Sequence, residues 1–407
     1  MRSVRFNTWA GLILAGSILA LCAMSGCAAL FTAPVEEGES FDQPLPGLTR
    51  AQQLAFARGD EAFEKVFSVK EGLGPLFNQP SCESCHSGDG KGHPRTNLIR
   101  FGRNTGGVFD PLYTEGGPQL QERAIPGAVP EMLPAHANAI SIRSGPLVFG
   151  LGLIEAIPDA VILAYADPND ADGNGISGRP NMVVPPDWMG VPQTPSVGKF
   201  GRKAGVAFLF QQVANAYHQD MGITSDVLPF ENLHPANGTL GDDVPEPEVS
   251  RSTIDDVLFY LRGLAPPKRG PVSPQVLQGE QLFQQVGCAS CHIPSMKTGT
   301  HPSIAALSQV DVPLYSDLLL HDMGPELEDN FIEGEAEGTE WRTSPLWGMR
   351  LVADHLGGNP FYLHDGRTFE LAEVIRLHGG EAAGARGRFL ALSKQDQDAL
   401  IAFLLSL

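Results

Sequence analysis

Two five-residue segments constrain this chain more than anything else in it: CESCH at Cys82–His86 and CASCH at Cys288–His292. Two thiols three residues apart on one turn can each bond a vinyl group of the same porphyrin, and the adjacent histidine then sits under its centre. This spacing is the attachment signature of a c-type haem, with the histidine as axial ligand. Two Cys-x-x-Cys pairs could instead close a four-cysteine zinc site, but such pairs usually lie nearer in sequence. A redox Cys-x-x-Cys motif would call for a βαβ setting, and no such pattern surrounds either segment. The reading is two covalently bound haem c groups, with His86 and His292 as proximal ligands.

The other two of the six cysteines belong to the address. Arg2 and Arg5 precede an apolar stretch from Trp9 to Met24, and MSGC then ends at Cys27. Residues 1–27 therefore read as a bacterial lipoprotein signal, with Cys27 lipidated after cleavage. A permanent transmembrane anchor is the alternative, but it needs a longer apolar span. Ala28 carries no acidic retention signal, which points to the outer membrane, facing the periplasm or cell surface. Residues 28–48 form a polar tether. Cys22 leaves with the signal, so no cysteine remains for a disulfide or a catalytic thiol. Export and c-type haem agree, because bacteria attach haem outside the cytoplasm. The net charge of −19 disfavours nucleic acid as a partner and would suit a basic redox protein.

The chain also repeats itself. GDEAFEKV (Gly59–Val66) matches GEQLFQQV (Gly279–Val286), and both are amphipathic helix patterns. DDVLFYLRGL (Asp255–Leu264) pairs with DALIAFLLSL (Asp398–Leu407), and Ser393 can cap the second. A helix before the haem segment and a helix closing the unit is the plan of a cytochrome c domain. The expected fold is mainly α, with two cytochrome c-like domains. Residues 49–264 form the haem 1 domain, residues 265–274 a linker rich in proline, and residues 275–407 the haem 2 domain. The first is enlarged by long loop insertions, among them SVKEGLGPLFNQPS before Cys82.

From about Gly59 to Leu407 the chain resembles the bacterial di-haem c-type oxidoreductases often labelled thiol oxidoreductases. These are related to the di-haem cytochrome c peroxidases and to the enzyme that matures methylamine dehydrogenase. The resemblance rests on GLGPLFNQPSCESCH, GLGLIEAIPDA, DPNDADGNGISGRPN, YSDLLLHDMGPELEDN, EWRTSPLWGMR, LHDGRTFELAEVI and HGGEA, in that order. It implies peroxidase-like redox chemistry on a small-molecule oxidant or other substrate. It also implies exchange of electrons with a small redox protein, a cytochrome c or a cupredoxin. A non-catalytic electron-transfer lipoprotein, or a redox accessory of an outer-membrane iron-uptake system, is the alternative.

The sixth iron ligands decide between these readings. For haem 1 the histidines are His93 and His136. In the peroxidase relatives a distal histidine precedes a proline segment by about ten residues, which favours His136 before Pro146. Arg143 and Glu155 lie in the same stretch: a carboxylate could move a proton between peroxide oxygens, and an arginine could stabilise developing negative charge. For haem 2 the relatives place a methionine where this chain has Leu363. Met323 is the preferred replacement, with His364, Met349 and His355 open. Trp341 and Trp347 fall in the second unit and read as core residues before relays. Asp170, Asp172 and Asn174 alternate their oxygens as in a calcium loop, although position twelve is Asn181 and an Asx-rich turn without metal has the same pattern.

Overall fold

The computed structural model describes residues 36–407. Residues 1–27 and the start of the tether, Cys27 included, lie outside the described residues. Helix exceeds strand, 33 % against 13 %, which agrees with the mainly α expectation. The helices are α1 (Arg50–Glu64), α2 (Leu151–Ala156), α3 (Asp159–Leu163), α4 (Leu209–Asn215), α5 (Arg251–Gly263), α6 (Pro274–Gln285), α7 (Met349–His355), α8 (Leu371–Leu377), α9 (Ala383–Leu390) and α10 (Lys394–Leu404). No helix among the described residues is long and apolar enough to cross a membrane.

The four longest helices each start on a hydroxyl cap. Thr49, Ser250, Ser273 and Ser393 accept from the backbone N–H groups of Gln52, Thr253, Val276 and Asp396, groups that have no partner inside the helix. These helices pack as two pairs, α1 on α5 and α6 on α10, each beside one Cys-x-x-Cys-His segment. The contact is made at matching places. A Cβ on Gly59 would lie 2.1 Å from the Asp256 carbonyl oxygen, and one on Gly279 would lie 1.9 Å from that of Ala399. Only glycine permits so close an approach. One turn on, Phe63 meets Tyr260 with ring centres 5.5 Å apart, and Phe283 meets Phe403 at 5.2 Å. Burying each such ring contributes about 1.5–3 kcal/mol.

The strands are short and antiparallel. The longest sheet runs 108–110, 98–105, 139–143. Along Ala139–Arg143 burial alternates, so Ile140 and Ile142 face outward while Ser141 and Arg143 face inward. A second hairpin pairs Leu320–Asp322 with Glu340–Arg342, setting His321 opposite Trp341. The largest hydrophobic core draws on both sides of residues 265–274, joining Phe41, Leu153 and Leu258 to Leu314, Leu319 and Trp347. A smaller core holds Phe283, Tyr315, Phe389 and Phe403.

Candidate two-haem site

One cavity of about 730 Å³ is lined by both Cys-x-x-Cys-His segments. Behind each, the helix pair presents the same aromatic residue to the histidine. Phe63 lies 6.4 Å from His86 and Phe283 lies 6.4 Å from His292, measured between ring centres. Burial pushes both imidazoles down to about 4, against opposing help from the Gly90 and Pro146 backbone for His86 and from the Tyr315 carbonyl for His292. Both rings are therefore neutral near pH 7, the form that ligates iron. His292 Nδ1 donates to the Tyr315 carbonyl at 2.9 Å, which leaves Nε2 as the free nitrogen. His86 Nδ1 is buried and makes no hydrogen bond of normal geometry. Gly145 rides directly on the His86 ring, where a Cβ would fall 2.9 Å from Cε1.

Part of the lining is cationic. Arg143, turned inward by the strand alternation, gives Nη1 to Glu333 at 2.6 Å and Nε to Ser141 at 2.8 Å. Arg202 gives Nη2 to the Ser144 carbonyl at 2.8 Å, and Arg342 gives Nε to the Gly201 carbonyl at 3.0 Å. Arg143 Nη2, Arg202 Nε and Arg342 Nη1 remain buried without partners. Burial, then mutual repulsion with Arg342 and Arg143, pushes Arg202 down to about 9. Guanidinium groups with unused donors, crowded against one another, suit an anionic ligand. The two propionates of a haem have that chemistry. The cysteine spacing, the neutral imidazoles, the glycine seat on His86 and the unused guanidinium donors together fit haem.

A loop from the chain's second half closes on the first attachment segment. Phe361 and Leu363 adopt positive φ, of 46° and 70°, a strained choice for bulky residues. Lys91 holds them by donating to the carbonyls of Phe361 and Leu363, and Ser144 donates to the His364 carbonyl. The His364 ring stacks on Trp341 at 3.8 Å and 13°. Burial and the charges of Arg202, Arg367, Arg143 and Lys203 hold it down to about 2.

The structure gathers some of the sequence-predicted residues and separates others. Cys82, Cys85, His86, Cys288, Cys291, His292, Arg143 and Met323 line the cavity, as do His364 and Met349. His136 does not: it lies at the surface with Nε2 3.2 Å from Glu115. His93 is not in the lining either, its Nδ1 accepting from the Arg95 N–H. His355 packs outside the attachment loop, against Gly88 and Gly90. Glu155 is also set apart, bonded to Arg262 at 2.6 Å and to the Leu209 N–H at 3.1 Å. Trp341 and Trp347 line the cavity, and Trp347 sits against Gly150. Asp170 and Asp172 fall beside Asp167 in a loop whose oxygens are engaged by its own backbone N–H groups, those of Ala171, Asn174 and Gly175 among them. Asn174 Oδ1 accepts from the Ile176 N–H.

Two residues of the second site escaped sequence reasoning. His378, at the end of α8, lines the cavity and lies close enough to His292 to disfavour charge there. Its Nδ1 meets the Val374 carbonyl at 2.7 Å, so Nδ1 is the donor and Nε2 is free. His321 has both nitrogens engaged, by Glu381 at 2.6 Å and by Asp317 at 2.8 Å. Despite burial, those carboxylates, with Cys291 nearby, raise it to about 12. Glu381 also accepts from Ser177, which pins the HGGEA segment in place. HGGEA was the available signal, because it puts a histidine before two glycines at a helix end.

A family model described as "Di-haem oxidoreductase, putative peroxidase" matches residues 129–407, more than half of the chain. No curated protein matches. Among solved structures, Kuenenia stuttgartiensis hydrazine synthase pressurised with 20 bar xenon is similar at 14 % identity, over 93 % of this chain and 98 % of that one, with a TM-score of 0.36. Likeness at that level carries no argument about function.

Proposed function

Because this chain belongs to the di-haem oxidoreductase family, we propose that it is a peroxidase-like redox enzyme with two covalently attached haems, exported and lipid-anchored through Cys27. The observation that carries this reading is the single cavity lined by both Cys-x-x-Cys-His segments and walled by unpartnered arginines. When bound, the haems would supply one-electron transfer and a coordination position for a small oxidant. Cys82 and Cys85, and Cys288 and Cys291, would hold them, with His86 and His292 beneath.

His378 replaces Met323 as the proposed second ligand of the His292 site. The Val374 carbonyl fixes its tautomer as the Tyr315 carbonyl fixes that of His292, so two free Nε2 atoms are presented by matching means. Met323 runs alongside, where a Cβ on Gly379 would lie 2.7 Å from its carbonyl oxygen, and its thioether has no comparable orienting bond. On the arginine wall, Arg143, Arg202 and Arg342 would stabilise developing negative charge and bind propionates. His364, held neutral, serves there as a hydrogen-bonding group and not as a base. Glu155, tied to Arg262, is left out of the proposed chemistry. The electron partner would be a small redox protein.

The test is spectroscopic. A pyridine haemochrome assay should find two haems per chain. Carbon monoxide should bind one of them in the reduced wild type, both in His378→Ala, and one in Met323→Ala. Binding to neither haem in the wild type would favour a pure electron-transfer protein. A Met323→Ala protein that gains a carbon monoxide site, with His378→Ala unchanged, would restore Met323 as the ligand.

A further inference from the structure

Away from the cavity, four carboxylates gather beside the buried Thr224, and two of them reach its hydroxyl. Glu231, Asp242 and Glu246 each place an oxygen within 4.8 Å of the others. Glu246 and Glu248 both reach Oγ1 of Thr224, which is fully buried, Glu248 at 2.5 Å. A hydroxyl has one proton to donate, so one of these two carboxylates must face a lone pair. Asp242 is only 7 % exposed, and its Oδ2 has no hydrogen-bond partner. Glu231 Oε2 and Glu248 Oε1 are likewise buried and unpartnered. Among the described residues, none of the four carboxylates has a lysine, arginine or histidine nitrogen within 4 Å, whereas Glu333 and the buried Asp329 and Asp317 each do.

We propose that Glu231, Asp242 and Glu246, with Glu248 and Thr224 beside them, form a calcium site. Unpaired buried carboxylates repel one another and are costly to desolvate, and a divalent cation removes both penalties. The donors are all oxygen and mostly anionic, which suits a hard cation. Calcium, taking roughly 6–8 oxygens in flexible geometry, tolerates crowded carboxylates better than magnesium, which keeps several waters. The ion would tie the loop carrying Glu231 to Glu248 onto the 222–225 segment. That segment follows Gln219, Asp220 and Met221, which line the cavity near Cys82, so the metal would buttress one wall of the first site without touching it. The Asp167–Asp172 loop is the rival; carboxylates of both clusters accept backbone N–H bonds, but only Glu231, Asp242 and Glu248 keep buried oxygens without a partner.

The experiment uses the haem-loaded protein, stripped with chelator and titrated with calcium chloride by calorimetry. One ion per chain should bind and raise the thermal midpoint. Glu246→Gln, at an exposed position, and Asp242→Asn should each weaken binding by at least about tenfold, while Asp170→Asn leaves it unchanged. No saturable binding at millimolar calcium would overturn the site. So would loss of binding in Asp170→Asn with Glu246→Gln unaffected. If Asp242→Asn does not fold, Glu246→Gln decides.

Discussion

The two helix pairs behind the Cys-x-x-Cys-His segments are built on the same positions, yet their histidines have different surroundings. Gly59, Phe63 and Tyr260 in the first correspond to Gly279, Phe283 and Phe403 in the second, and both histidines lie 6.4 Å from the equivalent phenylalanine. His292 has its tautomer fixed by a carbonyl and a second neutral imidazole nearby. His86 has an unpartnered Nδ1, a glycine against its ring and Arg202 close enough to disfavour its charge. Helix packing is indifferent to what an iron does, so it can be repeated. The loops that set ligand and charge cannot be repeated without making the two sites redundant.

The largest effect separating the two regions is expected at Glu333, the carboxylate that neutralises the arginine wall. Despite burial, Arg143 and Arg100 hold it down to about 2, below its ordinary 4.5. Glu333→Gln should cost about 3–5 kcal/mol, because it leaves buried guanidinium charge uncompensated. Glu333 contributes fully above pH 4.5 and loses its contribution as pH falls toward 2. The gap between wild type and variant in urea unfolding should therefore be constant above pH 4.5 and shrink below it. In the loaded protein the potential of one haem should rise while the other holds. An equal shift of both would mean that the wall serves the two sites alike.

The sequence carried what depends on short-range chemistry. Two Cys-x-x-Cys-His segments, the Gly-x-x-x-Phe repeat and the Ser393 cap are all local, and each appears in the structure at its expected place. What long-range packing decides was not legible. His136 and Pro146 have the spacing of a ligand segment, but the intervening strand turns Arg143 inward and leaves His136 at the surface with Glu115. Arg202 and Arg342 sit in unremarkable sequence, and they share a wall only because the 340–342 strand and the 199–206 loop meet. Asp242 and Glu246 look like ordinary acidic loop residues until Thr224 is placed between Glu246 and Glu248.

A smaller effect tests whether the two helix pairs are equivalent. Gly59→Ala puts a methyl 2.6 Å from Tyr260 Cβ, and Gly279→Ala puts one 2.7 Å from Phe403 Cβ, besides the carbonyl clashes. Overpacking of this kind costs about 1–3 kcal/mol, offset by up to about 1 kcal/mol of improved helix propensity. Both variants should lose similar amounts of stability in thermal or urea unfolding. If one is tolerated and the other is not, the repeat is one of sequence and not of packing.

The smallest effect lies at the helix starts, where the two units differ by one side chain. Thr49 and Ser273 each accept a backbone N–H, from Gln52 at 3.3 Å and from Val276 at 3.2 Å. At Thr49 the partner residue returns the bond, since Gln52 Oε1 accepts from the Thr49 N–H at 2.9 Å. Valine cannot do this at 276, so α6 has a single-sided cap. Ser273→Ala should therefore lose the whole cap, about 1 kcal/mol. Thr49→Ala keeps the glutamine's return bond and should lose less. The order reverses only if α1 depends on its first turn more than α6 does, and Gln52→Ala in the Thr49→Ala background would expose that dependence. A combined loss at α1 larger than the loss in Ser273→Ala would show that the first unit, with its long insertions, relies more heavily on its entry helix than the second.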